Sequence, residues 1–485
     1  MADATGEKGA GEGGRSGAKP SIPAVPLAFL GLGVYRAWIE IVFVGSFVDF
    51  PAATVNARDL FDISMAVTAM ACALLARRFG PFFNKTSAYV LSGATLTAST
   101  VLMFLTCYFE DLADIVAVSA ALLGGFGIAL LILFWSELYG CLNPLRVARY
   151  YAGSIVAGAL IIYVYYGFKL PWLFVMTSLL PLVSLLCVHH GFESLPEAER
   201  PATTWTRFSV PWKAVVLMAI YAFAYGLMES DMYDGTFGPH SSPGVLVVGL
   251  LVFLGVTFRG GKFDFGIIYK AALPLVVVAL FLLPSLGQMS AVASSICIQA
   301  GYTAESILIM LIMANICYRY GVSAVWLFGI ERSVRQVAMW GGRFVAQGVL
   351  ELEAVGVDGD LLISLLTMVM VLVATMVFYS EQEYSSRWGA NFIDGGTDSV
   401  EVVRKQELGD RCSEVASEHG LTMREEEILL LLAQHKTVSD IEHELFIANG
   451  TAKAHVRHIY QKLDIHSRQE LFDMLGVDGQ EAGGE

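Results

Sequence analysis

The chain has 485 residues, 55% of them hydrophobic and only 16% charged, with a net charge of −14. A soluble domain is usually about 25% charged, so the long apolar runs must be read first as membrane spans. The acidic total does not exclude a nucleic-acid partner, because it sums over unlike parts and the acid lies mostly in loops and near both ends.

Residues 1–24 are rich in Gly, Ala, Ser and Glu and predict a disordered N-terminus. A cleavable signal is not expected there, because the apolar segment that follows is long enough to span a bilayer. Residues 25–380 predict a multi-span membrane domain. Its apolar runs lie near 27–50, 60–79, 87–109, 113–136, 147–167, 171–190, 211–230, 244–258, 266–284, 289–317, 322–347 and 360–379, about twelve spans in all. Six of the seven cysteines sit in these runs and none forms a Cys-x-x-Cys pair, which argues against a zinc site or a disulfide framework.

Loop charges orient the spans. With both termini cytoplasmic, the inner loops carry Arg77, Arg78, Lys85, Arg146, Arg149, Arg200, Arg207, Lys213, Arg259, Lys262 and Arg319, and the outer loops only Arg58 and Lys169. The outer loops are instead acidic, with Glu110, Asp111, Glu229, Asp231 and Asp358 among them. That asymmetry follows the positive-inside rule. The longest inner loop, 189–213, divides the spans six and six. The layout resembles the major facilitator transporter fold over residues 25–380. The family's loop after the second span runs Gly-x-x-x-Asp-Arg-x-Gly-Arg; here Arg77, Arg78, Gly80 and Lys85 keep its basic character, but the Asp is absent.

Span eleven contains Glu331, Arg332, Arg335, Gln336, Met339 and Arg343. At helical spacing the last five share one face about 100° wide. An Arg at the bilayer centre costs about 2.5–3.5 kcal/mol even on a lenient scale, so this face should meet a cavity or partners. Glu40 on span one and Glu305 on span ten are candidate partners, with Arg36 as a further cation. The set is slightly cationic and would favour an anionic or strongly polar small molecule. Internal pairing that only holds the bundle together explains the same residues equally well.

After Phe378 the chain turns polar. Residues 381–420 predict a linker, with a helix from Val400 to about His419 closed by Gly420. Residues 421–476 then predict a small helical domain: helices near 423–434, 438–445 and 451–463, a turn at Phe446–Gly450, and a short helix after Ser467. Thr422 and Glu425 form a capping box. Two short helices, a Gly-containing turn and a basic second helix make a helix-turn-helix. The segment resembles the LuxR-type DNA-binding domain in Leu421-Thr422-Met423-Arg424-Glu425, Ile441 with Leu445 and Ile447, Thr451-Ala452-Lys453-Ala454-His455, Ile459 with Lys462-Leu463, and Ser467-Arg468.

The resemblance places Lys453, Ala454 and Arg457 toward base edges of double-stranded DNA, and Thr451, His455, Lys462 and Arg468 at phosphates or in support of the helix. It also implies a homodimer on DNA through the last helix, with Leu471 and Leu475 as apolar contacts. Three positions depart from the pattern. Ala448 replaces the usual Ser N-cap, leaving Asn449 as a substitute cap; His435 replaces a Gly; Glu442 replaces a small residue. Residues 477–485 predict a disordered tail. No catalytic constellation, metal-ligand spacing or cofactor loop is recognisable. The expected protein is an all-α, membrane-embedded one-component transcription regulator of a bacterial inner membrane. The alternatives are a transporter with a regulatory tail and, last, a passive membrane anchor.

Overall fold

A computed structural model describes residues 26–51 except 46 and 49, then 56–195, 200–201, 210–229, 238–259 and 288–350. It also describes seven helical positions between 363 and 373, and 408–476 except 409–410, 413 and 446–448. The expected ninth span, most of the twelfth, both termini expected to be disordered and most of the linker lie outside the described residues.

The regular structure described is helical. The membrane part contains α1 (Gly31–Ile39), α2 (Ala57–Leu74), α3 (Ala76–Phe79), α4 (Thr86–Leu105), α5 (Ala113–Gly140), α6 (Pro144–Tyr165) and α7 (Leu170–Glu193). It continues with α8 (Trp212–Leu227), α9 (Pro243–Arg259), α10 (Gln288–Tyr320) and α11 (Ala324–Leu350). Six helical segments among the described residues are long and apolar enough to cross a membrane, and α8 and α9 are shorter apolar helices. The starts follow local chemistry. Asn56 caps α2 by accepting from the Asp59 N–H at 3.3 Å, and Asn143 caps α6 with Pro144 in its first turn.

The first span is not one uniform helix. A 3₁₀ turn (Leu27–Leu30) leads into α1, and a π turn (Glu40–Val44) follows it, closed by Gly45 N–H on the Glu40 carbonyl at 2.6 Å. Such π turns often mark functional sites.

Helices in lipid associate by close packing rather than by hydrophobic exclusion. A Cβ on Gly33 would lie 2.1 Å from the Ser154 carbonyl oxygen, so only glycine lets α1 cross α6 there. Gly226 and Gly342 play the same part where α8 meets α11; a Cβ on either would come within 2.2 Å of opposing backbone oxygen. Buried polar groups are matched between helices: the Trp38 indole donates to Thr100 at 2.7 Å and the Trp135 indole to Ser184 at 3.0 Å. The first six spans meet the later ones where α2 packs on α11 and α6 on α9. α11 is thus central rather than facing lipid on its charged side.

The C-terminal domain comprises α12 (Met423–Ala433), α13 (Val438–Leu445), α14 (Asn449–Leu463) and α15 (Arg468–Leu475). Its core buries Ile428, Leu432, Ile441, Ala452, Ile459, Leu463, Leu471 and Leu475. The expected capping box at Thr422 and Glu425 is present. α14 begins two residues earlier than expected. Asn449 is its first residue and donates its amide to Glu442 at 2.6 Å, so it does not serve as the N-cap. His435, where the LuxR-type pattern has glycine, takes a left-handed backbone (φ 63°), and its ring packs 4.3 Å from that of Phe472. A left-handed conformation is what glycine accommodates most easily.

Candidate functional site: a polar membrane cavity and a nucleic-acid interface

The membrane helices line a cavity of about 100 Å³ between α1, α2, α5, α8, α10, α11 and the turn at Gly238–Ser241. Four of the eight expected cavity residues, Arg36, Arg332, Arg335 and Gln336, line it directly. Glu331 lies behind the wall, where it accepts from Arg335 Nε at 2.6 Å. Arg335 also donates to Ser306 at 3.1 Å and is 5% exposed. Glu305 is buried within electrostatic reach of Arg335. Glu40 does not meet α11. It accepts from the His240 N–H at 2.5 Å and from the Ser241 hydroxyl, fastening the Gly238–Ser241 turn over the cavity.

Arg343 departs most from expectation. Its guanidinium is spread over three carboxylates: Asp59 at 2.9–3.0 Å, Asp62, and Glu229 at 2.6 Å. Arg58 joins the same network, 3.3 Å from Asp62 and 3.9 Å from Glu229. A second span at 60–79 leaves Arg58 in a loop, and the loop acids include Glu229. Both are instead part of the bundle interior: Arg58 and Glu229 line the cavity, and Glu229 is 4% exposed. The Arg58–Asp62 spacing of four on a helix was the signal available in the sequence.

Of the charges facing the void, Arg36, Arg58, Arg332 and Arg335 are cations and Glu229 is an anion. Arg36 donates Nη2 to His240 Nδ1 at 3.0 Å. Because a guanidinium has no acceptor, His240 must accept on Nδ1, which leaves its Nε2 as the N–H donor. Tyr35, Tyr302 and Gln299 add further polar groups, and Ile39, Phe61, Met65 and Met339 supply apolar wall.

The second candidate surface is α14. Its buried side carries Ala452, Ile459 and Leu463. The opposite side exposes Thr451, Lys453, Arg457, His458 and Gln461, with Ala454 and His455 half-buried. Two of the expected DNA-interface residues form bonds inside the domain. Lys462 donates to Glu425 at 2.7 Å and to the Gly420 carbonyl at 3.1 Å. Burial pushes the Glu425 carboxyl up, but hydrogen bonds from Lys462 and Thr422 outweigh it and hold the group down at about 2. Arg468 donates to the carbonyls of Lys436 at 2.8 Å and Leu432 at 3.3 Å, and lies over the Phe472 ring. Leu471 and Leu475 are 0% and 1% exposed, so they belong to the domain's own core and are not free for a partner; Met474 is the exposed apolar side chain of α15.

Residues 419–475 match the family model for bacterial regulatory proteins of the luxR family. The chain is 36% identical over 94 residues to the uncharacterized transcriptional regulatory protein YvfU of Bacillus subtilis, covering 18% of this chain and 47% of that protein. It therefore spans about half of that relative's length. Over 50 residues it is 42% identical to the spore germination protein GerE of Bacillus subtilis, covering 10% of this chain and 68% of GerE. The chain also resembles the crystal structure of a bacterial homologue of the iron transporter ferroportin, with a TM-score of 0.52 at 10% identity, over 74% of this chain and 98% of that one. At that identity the likeness concerns the fold alone. Through its C-terminal helix-turn-helix domain, joined here to a transporter-like membrane domain, the chain belongs to the luxR family of bacterial regulatory proteins.

Proposed function

We propose that this protein is a membrane-embedded one-component transcription regulator. Residues 25–380 form the sensing domain, 381–420 the connection and 421–476 the DNA-binding domain. A small molecule binds among the helices and changes the affinity of α14 for operator DNA. One observation carries the reading: a single chain combines a polar, arginine-lined cavity with a helix-turn-helix that presents Lys453 and Arg457 outward.

Lys453 and Arg457 lie four apart on the exposed face of α14, the spacing that lets two long cations enter one major groove. Thr451, His455 and Ala454 border them and would meet phosphate or base edges. Lys462 and Arg468 act through the fold, holding α14 and α15 against α12. Binding as a homodimer to paired half-sites remains part of the proposal, with the exposed side of α15 around Met474 as the contact. The basic inner loops favour cytoplasmic termini, in a bacterial inner membrane where chromosomal DNA is accessible. No catalytic role is assigned to any residue.

Transcript profiling of a deletion strain, followed by supplying the molecules its target genes handle, tests the reading. A response that requires the intact cavity supports it; unchanged transcription under every condition removes it. The transporter-like fold favours one second reading, a carrier with a regulatory tail. Substrate flux into vesicles holding the purified protein, abolished by cavity substitutions, would select that reading.

A further inference from the structure

The cavity's cations are not equivalent, and their differences narrow the ligand. Arg335 is matched by Glu331, Arg343 by Asp59, Asp62 and Glu229, and Arg58 by Asp62 and Glu229. Arg36 has no carboxylate partner among the described residues, and its buried Nε has no hydrogen-bond partner there. Glu40 acts on Arg36 only through space, because its oxygens accept from His240 and Ser241. Arg332 Nε lies 3.4 Å from Glu331 and, like Arg58 Nε and Arg335 Nη2, makes no hydrogen bond among the described residues. Arg36 and Arg332 line the same cavity.

We infer that the cavity binds a compact monocarboxylate with a short apolar tail, its carboxylate held by Arg36, Arg332 and the Nε2–H of His240. This rests on the proposal that the cavity is the ligand site, and it moves the anchoring role from Arg335 and Arg343, which are hydrogen-bonded to carboxylates, to Arg36 and Arg332, whose Nε atoms are unpaired among the described residues. A planar guanidinium fork matches a carboxylate. Ile39, Phe61, Met65 and Met339 would receive the tail. Size sets the upper limit. A cavity of about 150 Å³ takes benzene, so the roughly 100 Å³ here takes something smaller, on the order of four or five non-hydrogen atoms. A larger acid would require the bundle to open.

The test is calorimetric titration of the full-length protein in lipid nanodiscs with sodium acetate, sodium propionate, acetamide and inorganic phosphate. Acetate and propionate should bind saturably, propionate more tightly, while acetamide, the neutral analogue of acetate, should not bind. Arg36→Gln and Arg332→Gln should each weaken propionate on the order of tenfold or more. Arg36→Lys should retain part of the binding, and thermal melting in the same nanodiscs identifies folded variants.

Acetamide binding as well as acetate overturns the inference without any variant. So does wild-type affinity in both folded Gln variants. Phosphate binding more tightly than propionate would mean an inorganic oxyanion site instead. Carboxylate binding that leaves DNA affinity unchanged keeps this assignment and removes the sensing proposal.

Discussion

Arg343 on α11 donates to Asp62 on α2, joining a helix of the first six spans to one of the later spans through a buried ion pair. Asp62 is 1% exposed, and the same guanidinium also holds Asp59 and Glu229. A helix as polar as α11 is stable within the bundle because its charges are matched there.

Removing that cation should therefore damage the fold before it alters any response. Arg343→Ala leaves Arg58 as the remaining cation against Asp59, Asp62 and Glu229, and breaking a buried pair costs about 3–5 kcal/mol. Arg343→Lys should recover only part, since a single ammonium nitrogen lacks the planar fork whose three nitrogens reach the three carboxylates. Thermal melting of the purified protein in detergent checks this. A melting temperature equal to wild type in Arg343→Ala would show that the network contributes nothing.

Lys462 and Glu425 couple the end of α14 to the start of α12. Lys462→Ala should lower hydrogen-exchange protection of α12 and α14 while leaving the salt dependence of DNA binding nearly unchanged. The sign of the pH effect follows from the same contact. The folded Glu425 carboxyl titrates at about 2 against an ordinary value of 4.5. Its contribution is complete above about 4.5 and is lost as pH falls toward 2. Glu425→Gln should flatten the loss of protection in that interval. A salt slope reduced by about one in Lys462→Ala would make Lys462 a phosphate contact instead.

On the proposed reading, Arg457 and Lys453 carry the recognition surface of α14. Arg457→Ala should cost about 1–3 kcal/mol at the specific operator and relax preference at one base position. Arg468→Ala, which releases the carbonyls of Leu432 and Lys436, should instead weaken binding in proportion to lost domain stability. Competition binding with a randomised operator library separates the two. Unchanged base preference in Arg457→Ala would remove it from the readout.

The fold was largely legible from apolar run length and from spaced motif residues. The run at 113–136 became α5, and Leu421 to Arg468 marked the helix-turn-helix within a residue or two. The polar face of α11 was legible from its period, because five polar or flexible side chains on one stripe leave few alternatives in a membrane. The partners of that face were not. Asp59 and Asp62 sit just inside a span whose start is set by an Asn56 cap, and a hydropathy window blurs such a boundary. Glu40 looked like a counter-ion for α11 until the Gly238–Ser241 turn was found to use both its oxygens. Lys462 and Arg468 were basic residues in a DNA-binding motif, and sequence alone does not distinguish a phosphate contact from a cation that caps a neighbouring helix. Leu471 and Leu475 show the same limit, since their spacing fits a core and an interface equally.

The central claim is that a chain held in the membrane reads specific DNA through α14. Chromatin immunoprecipitation of the full-length protein from its native cells tests it most directly, comparing wild type with the Lys453→Ala, Arg457→Ala double variant. The account predicts discrete occupied sites upstream of genes in wild type, lost in the double variant, with both proteins recovered equally from the membrane fraction. Uniform background in wild type, or the same sites occupied by the double variant, would contradict it.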